Sequence, residues 1–292
     1  MLTGIDAITY GVEDMERSAQ FFLDWGLTRT VAEPGRIVFE TLDGGEVVLR
    51  PADAPDLPPP FESGSTLRRV TWGVRSARAL KALAGIAADP TGLAIDFRPS
   101  RRRKVAVKGS PANTIDRARR IDAPSPVYER AQPVKIGHVV LFVADVAAAE
   151  AFYVGRLGFV PSDRYPGEGV FLRCNARGGH HDLFLLKHPA GRPGLNHVAF
   201  TVRDIHEVFG GGLHIARQGW QTQIGPGRHP ISSAFFWYFR NPAGGLAEYY
   251  TDEDHLTERW VARSFERRPE LFAEWAIAGG LDPATRRQRP PA

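Results

Sequence analysis

Residues 7–95 follow a plan that residues 138–248 repeat in the same order. A duplicated plan restricts the fold more than any single local propensity. In the first half, Ala7-Ile-Thr-Tyr-Gly-Val12 is apolar and β-branched and reads as a strand. Asp14 can cap a helix that carries Phe21, Phe22 and Trp25 on one face and stops at Gly26. Residues 36–42 and 45–50 read as a hairpin around Asp43-Gly-Gly. A strand over 69–74, a helix over 77–84 and a strand over 93–98 follow. The second half runs through the same series: a strand at 139–143, a helix over 146–154 capped by Asp145, and hairpin strands at 169–173 and 182–187. A strand from His197 and the turn-strand Asn241-Pro-Ala-Gly-Gly-Leu-Ala-Glu248 complete it. Phe152 and Tyr153 fall on Phe21 and Phe22, and Leu157-Gly-Phe falls on Trp25-Gly-Leu. The expected architecture is α+β, with two tandem modules of paired strand-helix-strands units whose strands curl into open, barrel-like sheets. No Gly-rich phosphate loop follows a strand, which argues against a doubly wound parallel sheet.

The expected divisions are residues 1–133, an N-terminal non-catalytic module ending in a basic, Pro-containing connector; 134–255, a second module holding the site; and 256–292, a tail. Short helices are expected in the tail at 256–263 and 271–277, with residues 286–292 frayed.

The two halves differ at three positions. His138 stands opposite Ala7, His197 opposite Arg69 and Glu248 opposite Ile95. Each of the three second-half residues sits in a run that otherwise reads as a buried strand, where an unpaired His or Glu is costly. If packing alone were required, both copies could carry similar residues. Two His and one carboxylate converging from three strands would form the facial triad of a non-haem Fe(II) oxygenase. The single cysteine, Cys174, excludes a disulfide framework and a thiolate metal site.

Glu248 lies in a segment, Gly225-Pro-Gly-Arg-His229-Pro-Ile-Ser-Ser-Ala-Phe-Phe-Trp-Tyr238 and onward to Glu248-Tyr-Tyr-Thr, that resembles the signature of the two-module type I extradiol catechol dioxygenases. That family lies within the vicinal oxygen chelate superfamily, with its glyoxalase/bleomycin-resistance/dioxygenase-like fold, and the likeness runs over residues 5–255. The resemblance implies paired βαβββ units and Fe(II), with Mn(II) an alternative, held by His138, His197 and Glu248. O2 is the implied co-substrate and a small aromatic diol the substrate, cleaved beside its hydroxyls. Carried over residue by residue, His181 is the acid–base histidine, with His180 as its alternative. His229 matches the histidine that hydrogen-bonds substrate and oxygen, and Tyr238 the tyrosine that contacts the substrate hydroxyl. A homo-oligomer is also implied. Competing readings are a related metal enzyme acting on a hydroquinone or aminophenol, and a non-catalytic small-ligand-binding protein of the same superfamily.

The rest of the sequence is read more plainly. The net charge of +4 is concentrated in residues 101–104 and 117–120, clusters without interleaved aromatics that read as solvated linker rather than a nucleic-acid site. No leader peptide and no membrane-spanning run is seen, so a cytoplasmic protein with no membrane partner is expected. The aromatic run 235–239 suggests an apolar ring site, with Arg228 and Arg240 as candidates to meet a substrate carboxylate.

Overall fold

A computed structural model describes residues 2–277. The frayed end expected at 286–292 lies outside the described residues. The first module comprises β1 (Leu2–Val12), α1 (Met15–Asp24), β2 (Thr28–Glu33), β3 (Arg36–Glu40), β4 (Glu46–Pro51), β5 (Thr66–Val74), α2 (Ala77–Ala82) and β6 (Ala94–Pro99). The second comprises β7 (Lys135–Val143), α3 (Val146–Leu157), β8 (Val160–Tyr165), β9 (Gly169–Arg173), β10 (Leu183–Lys187), β11 (Gly194–Thr201), α4 (Ile205–Arg217), β12 (Thr222–Arg228), β13 (Phe235–Arg240) and β14 (Leu246–Thr251). A C-terminal strap adds β15 (Arg263–Ser264), α5 (Pro269–Phe272) and β16 (Trp275–Ala276). The strands form a six-stranded sheet, β2-β3-β4-β1-β5-β6, and a ten-stranded sheet, β15-β8-β9-β10-β7-β11-β14-β13-β12-β16.

Helix starts follow from short polar side chains. Asp14, Ser76, Asp145 and Asp204 each accept a hydrogen bond from the backbone N–H three residues on. Gly158 ends α3 at φ 75°, a left-handed conformation that glycine adopts without a Cβ clash.

Three of the four units have the βαβββ order, and the fourth is shorter. Between α4 and β14 the chain has room for β12 and β13. Between α2 and β6 only residues 83–93 remain, too few for two more strands, so the first module keeps six strands. β2, β8 and β12 did not stand out in the sequence. In β2 the reason is plain: Thr28–Glu33 is an edge strand, five of whose six residues are exposed, without apolar alternation.

Strand register revises one pairing of the two halves. Ala199 pairs with His138 and Glu248, while Thr71 pairs with Ala7 and Asp96. The residue matching Glu248 is therefore Asp96, not Ile95; Asn241-Pro and Asp89-Pro align without a gap, and allowing for one extra glycine displaces the match by one residue. Asp96 is exposed, Ile95 is in the core, and Ala7 and Arg69 stand at the other two positions.

The strap also departs from expectation. Residues 256–263 and 271–277 are not helices; the one helical stretch there is the single turn α5. β15 pairs with β8 and β16 with β12. The open edges of the large sheet offer backbone partners that a short isolated helix lacks.

The connector has no regular element, but part of its charge is neutralised. Buried Asp6 accepts hydrogen bonds from Ser100 Oγ, Arg101 N and Arg98 Nε at 2.8, 2.8 and 3.2 Å. Arg102 lies near Asp6 and Asp43, and Arg103 pairs with Glu40. Arg102 and Arg103 thus fasten the connector to its own module.

The modules interlock reciprocally. Trp25, just after α1, stacks on Tyr249 of β14 with ring centroids 3.7 Å apart, and meets Phe200 and Phe239 edge-on. From the other module Phe159, which matches Leu27 two residues beyond Trp25, packs edge-on against Trp72 of β5. Nearby, Tyr153 donates a 2.9 Å hydrogen bond to Asp89. One hydrophobic core runs through both modules. Aromatic truncation in such a core costs about 3–5 kcal/mol. Trp25→Ala is therefore expected to lower the unfolding free energy by that amount in urea titration, with both modules losing structure in one transition.

Candidate metal centre

β7, β11 and β14 lie side by side in the large sheet, and each supplies one ligand-type side chain to its concave face. His138, His197 and Glu248 are 4%, 7% and 1% exposed, and their ligand atoms all lie within 4.8 Å of one another. The two histidine Nε2 atoms are 3.2 Å apart, and each is 3.2 Å from Glu248 Oε2. That oxygen makes no well-formed hydrogen bond despite full burial. A buried carboxylate oxygen without a partner needs an explanation, and a cation is the simplest. Neighbouring ligands held about 2.1 Å from one metal ion sit about 3 Å apart, which these spacings match. Among the described residues this is the one such cluster.

The electrostatics suit a cation. Burial alone would raise the Glu248 carboxyl, but the imidazoles of His138, His197 and His229 outweigh it and hold the carboxyl well below its usual range. Burial pulls His197 below the ordinary histidine value and leaves it neutral, the form that ligates. Asn196 Oδ1 lies 2.6 Å from His197 Nδ1 and accepts a hydrogen bond from its N–H, which leaves Nε2 free to bind.

His181 and Tyr238 line the same cavity as the triad, and His229 joins them. The His181 ring lies against that of His138 with centroids 4.0 Å apart. Burial, then the positive charge that neighbouring imidazoles would carry, drives its pKa well below the usual value. His180 is turned away, fully buried beside Asp163, so His181 is the residue that faces the site. His229 Nδ1 donates to Phe272 O at 2.5 Å, and its Nε2 lies 3.0 Å from the Tyr238 hydroxyl and 3.6 Å from Glu248 Oε1. Burial, reinforced by Glu248, pushes the Tyr238 phenol well above its normal value and keeps it protonated.

Several participants were not legible in the sequence. Glu253 accepts from His180 N at 2.9 Å and from Tyr250 Oη at 3.1 Å, tying the histidine loop to β14. A Cβ at Gly179 would strike the Glu253 carboxylate, and one at Gly137 the Tyr250 hydroxyl, so both close approaches need glycine. The aromatic run 235–239 is not the ring site expected of it. Tyr238 alone of the five lines the cavity, while Trp237 and Phe239 belong to the core. The apolar walls come instead from Tyr165, Phe171, Phe184, Ile231, Leu271 and Phe272 around a cavity of about 400 Å³. Arg228 pairs with Glu274, and neither it nor Arg240 lines the cavity.

Residues 135–249 match the Glyoxalase/Bleomycin resistance protein/Dioxygenase superfamily. It is 30% identical to metapyrocatechase 2 of Cupriavidus necator over 195 residues, 64% of this chain and 58% of that protein. The chain thus spans little more than half the length of that curated relative, and 40% and 47% of two others. Among solved structures it resembles the Mn(II)-bound glyoxalase from Novosphingobium aromaticivorans, with TM-score 0.76 and 23% identity over all of this chain and 95% of the other. It also resembles 2,2',3-trihydroxybiphenyl 1,2-dioxygenase from Sphingomonas wittichii, with TM-score 0.69 and 19% identity over 94% and 98%. The two-module fold is thereby shared with extradiol dioxygenases. Among the described residues, no helix is long and apolar enough to cross a membrane.

The lowered histidines give the metal-free chain a defined pH response. Between their folded values and about 6.5 the unfolded chain binds more protons at His181 and His197 than the folded chain does. The stability this represents is complete above about pH 6.5 and is lost as the pH falls from there. Glu248 adds a second loss as the pH falls below about 4.3, its usual unfolded-state value. Urea unfolding of the metal-free chain should show lower stability at pH 5.5 than at pH 7.5. His181→Phe should shrink that difference.

Proposed function

We propose that the chain is an Fe(II)-dependent extradiol dioxygenase that opens the ring of a substituted catechol beside its diol, with O2 as co-substrate. The observation that carries this reading is the buried His138–His197–Glu248 cluster at the base of an apolar, ring-sized cavity flanked by three proton-bearing side chains. The names of the relatives support it. Mn(II) is the alternative occupant. Bound there, either ion would supply open coordination positions on one face, where a diol and O2 can meet.

The chain's own residues perform the rest. His181, kept neutral, takes a proton from a diol hydroxyl and later returns one as the ring opens. Tyr238, kept protonated, gives its O–H to His229 Nε2 and turns it to a ring oxygen when a diol binds. His229 braces Tyr238; with Nδ1–H committed to Phe272 O, its Nε2 accepts from the phenol, and it donates into the cavity only as the imidazolium. Tyr165, Phe171, Phe184, Leu271 and Phe272 exclude water and pack against the ring. The two cations at the cavity wall, Arg267 and Arg268, are paired with Glu168 and Glu266. A neutral alkyl or aryl substituent therefore suits the cavity better than a carboxylate.

The test is anaerobic iron loading, then O2 uptake and appearance of the visible-absorbing ring-opened product over a panel of catechols. Alkyl and aryl catechols should outpace carboxylated ones, and hydroquinones and 2-aminophenol should be slow. Glu248→Ala should lose tight metal binding. His181→Phe should keep its iron and bind catechol, yet lose about 100- to 10,000-fold in turnover. Iron loss in the latter variant, or normal turnover, would show that its role is misassigned.

A further inference from the structure

Behind His181 lies a chain of buried polar groups that the reading above leaves unused. Asp163 of β8 is completely buried, as is His180. Asp163 Oδ2 lies 3.0 Å from His180 Nε2. On the other side of that ring, His180 Nδ1 lies 3.1 Å from His181 Nδ1. His181 is thus joined to the carboxylate through its neighbour, and among the described residues its own Nε2 has no hydrogen-bond partner. The His180 ring is also fixed at its base, because its N–H donates to Glu253 and its carbonyl accepts from Ser162 Oγ at 2.5 Å.

Proton directions along this chain follow from elementary valence. A carboxylate only accepts, so His180 Nε2 carries a hydrogen and donates it to Asp163. Asp163 is already matched by a cation from the strap. Arg263 donates to it through the backbone N–H at 2.9 Å, through Nε at 3.1 Å and through Nη2 at 2.6 Å. With the carboxylate charge balanced by a guanidinium, His180 has no need to be an imidazolium to stay buried beside it. A neutral His180 with hydrogen on Nε2 presents a lone pair at Nδ1. His181 must then place its hydrogen on Nδ1 to meet that lone pair, which leaves its Nε2 unprotonated.

We propose that Asp163 and His180 are positioning residues that hold His181 in the Nδ1–H tautomer, with the Nε2 lone pair left as the base for the substrate hydroxyl. Arg263 completes the device from the C-terminal strap. The consequence for turnover rests on the ring-cleavage reading, whereas the tautomer does not depend on it.

Nitrogen-15 NMR of the metal-free full chain, labelled at histidine, reads the tautomer from the ring-nitrogen shifts and their couplings to the carbon-bound ring protons. Wild type should show His181 as Nδ1–H. His180→Leu removes the acceptor, and His181 should become a mixture of tautomers or the Nε2–H form. His180→Gln keeps an amide donor for Asp163 and an oxygen acceptor for His181, so it should retain the wild-type tautomer. In the iron-loaded chain with the best catechol of the panel, His180→Leu should lower kcat about 10- to 100-fold, the range typical of a partner that fixes a functional histidine. KM and iron content should stay within about two-fold, and His180→Gln should restore most of kcat. A purely structural His180 would lower the melting temperature in His180→Leu and leave the His181 tautomer and kcat unchanged; that outcome overturns the proposal. So does a wild-type His181 found as Nε2–H, a measurement that decides the matter even if His180→Leu does not fold. Absence of turnover on every catechol would sink the dioxygenase reading and leave the tautomer result standing.

Discussion

The structure turns on the burial of the Glu248 carboxylate. A charge removed from water is costly, and here one of its oxygens has no hydrogen-bond partner. What makes the position tolerable is the ring of three imidazoles around it, and what makes it useful is that two of them, His138 and His197, bring Nε2 to the same point. The same burial that lowers His197 leaves a lone pair available. A site of this kind is under strain when it holds only protons, and a divalent cation relieves that strain.

Holding the carboxylate in place requires β14 to be fixed from both faces. Glu248 and Tyr250 point toward the cavity side, where Tyr250 is bonded to Glu253. Tyr249 points the other way, stacked on Trp25 with its hydroxyl donated to the Trp25 carbonyl. The first module thus acts as a clamp on the strand that carries the charge, although it has no ligand cluster of its own. With Ala7, Arg69 and an exposed Asp96 at the corresponding positions, and two strands fewer, it has kept the packing half of the duplicated design.

The strap after β14 is the other determinant of the site. Leu271 and Phe272 wall the cavity, the Phe272 carbonyl fixes the ring of His229, and Arg263 balances Asp163. Three separate functions reach the centre from one segment that is held mainly by its pairing to sheet edges and by side-chain contacts. Its backbone follows those edges because the exposed N–H and C=O groups of β8 and β12 are stronger partners than any four-residue helix could form within itself.

The sequence by itself determined the α+β class, the two-module plan and the identities of His138, His197 and Glu248, because strand periodicity, caps and duplication are local properties that survive without coordinates. It also distinguished the half that carries ligands from the half that does not. Tertiary structure alone decided that Asp96 rather than Ile95 occupies the position corresponding to Glu248, since a one-residue register shift is set by hydrogen bonding between strands. It decided that the tail is a strap, because its partners, β8 and β12, are earlier strands far from it in the chain. The apolar walls of the cavity and the partnership of Asp163, His180 and Arg263 were likewise invisible in the sequence. Each joins residues from distant strands and loops, and a buried polar contact is specified by which side chains meet in space, which no spacing along the chain encodes.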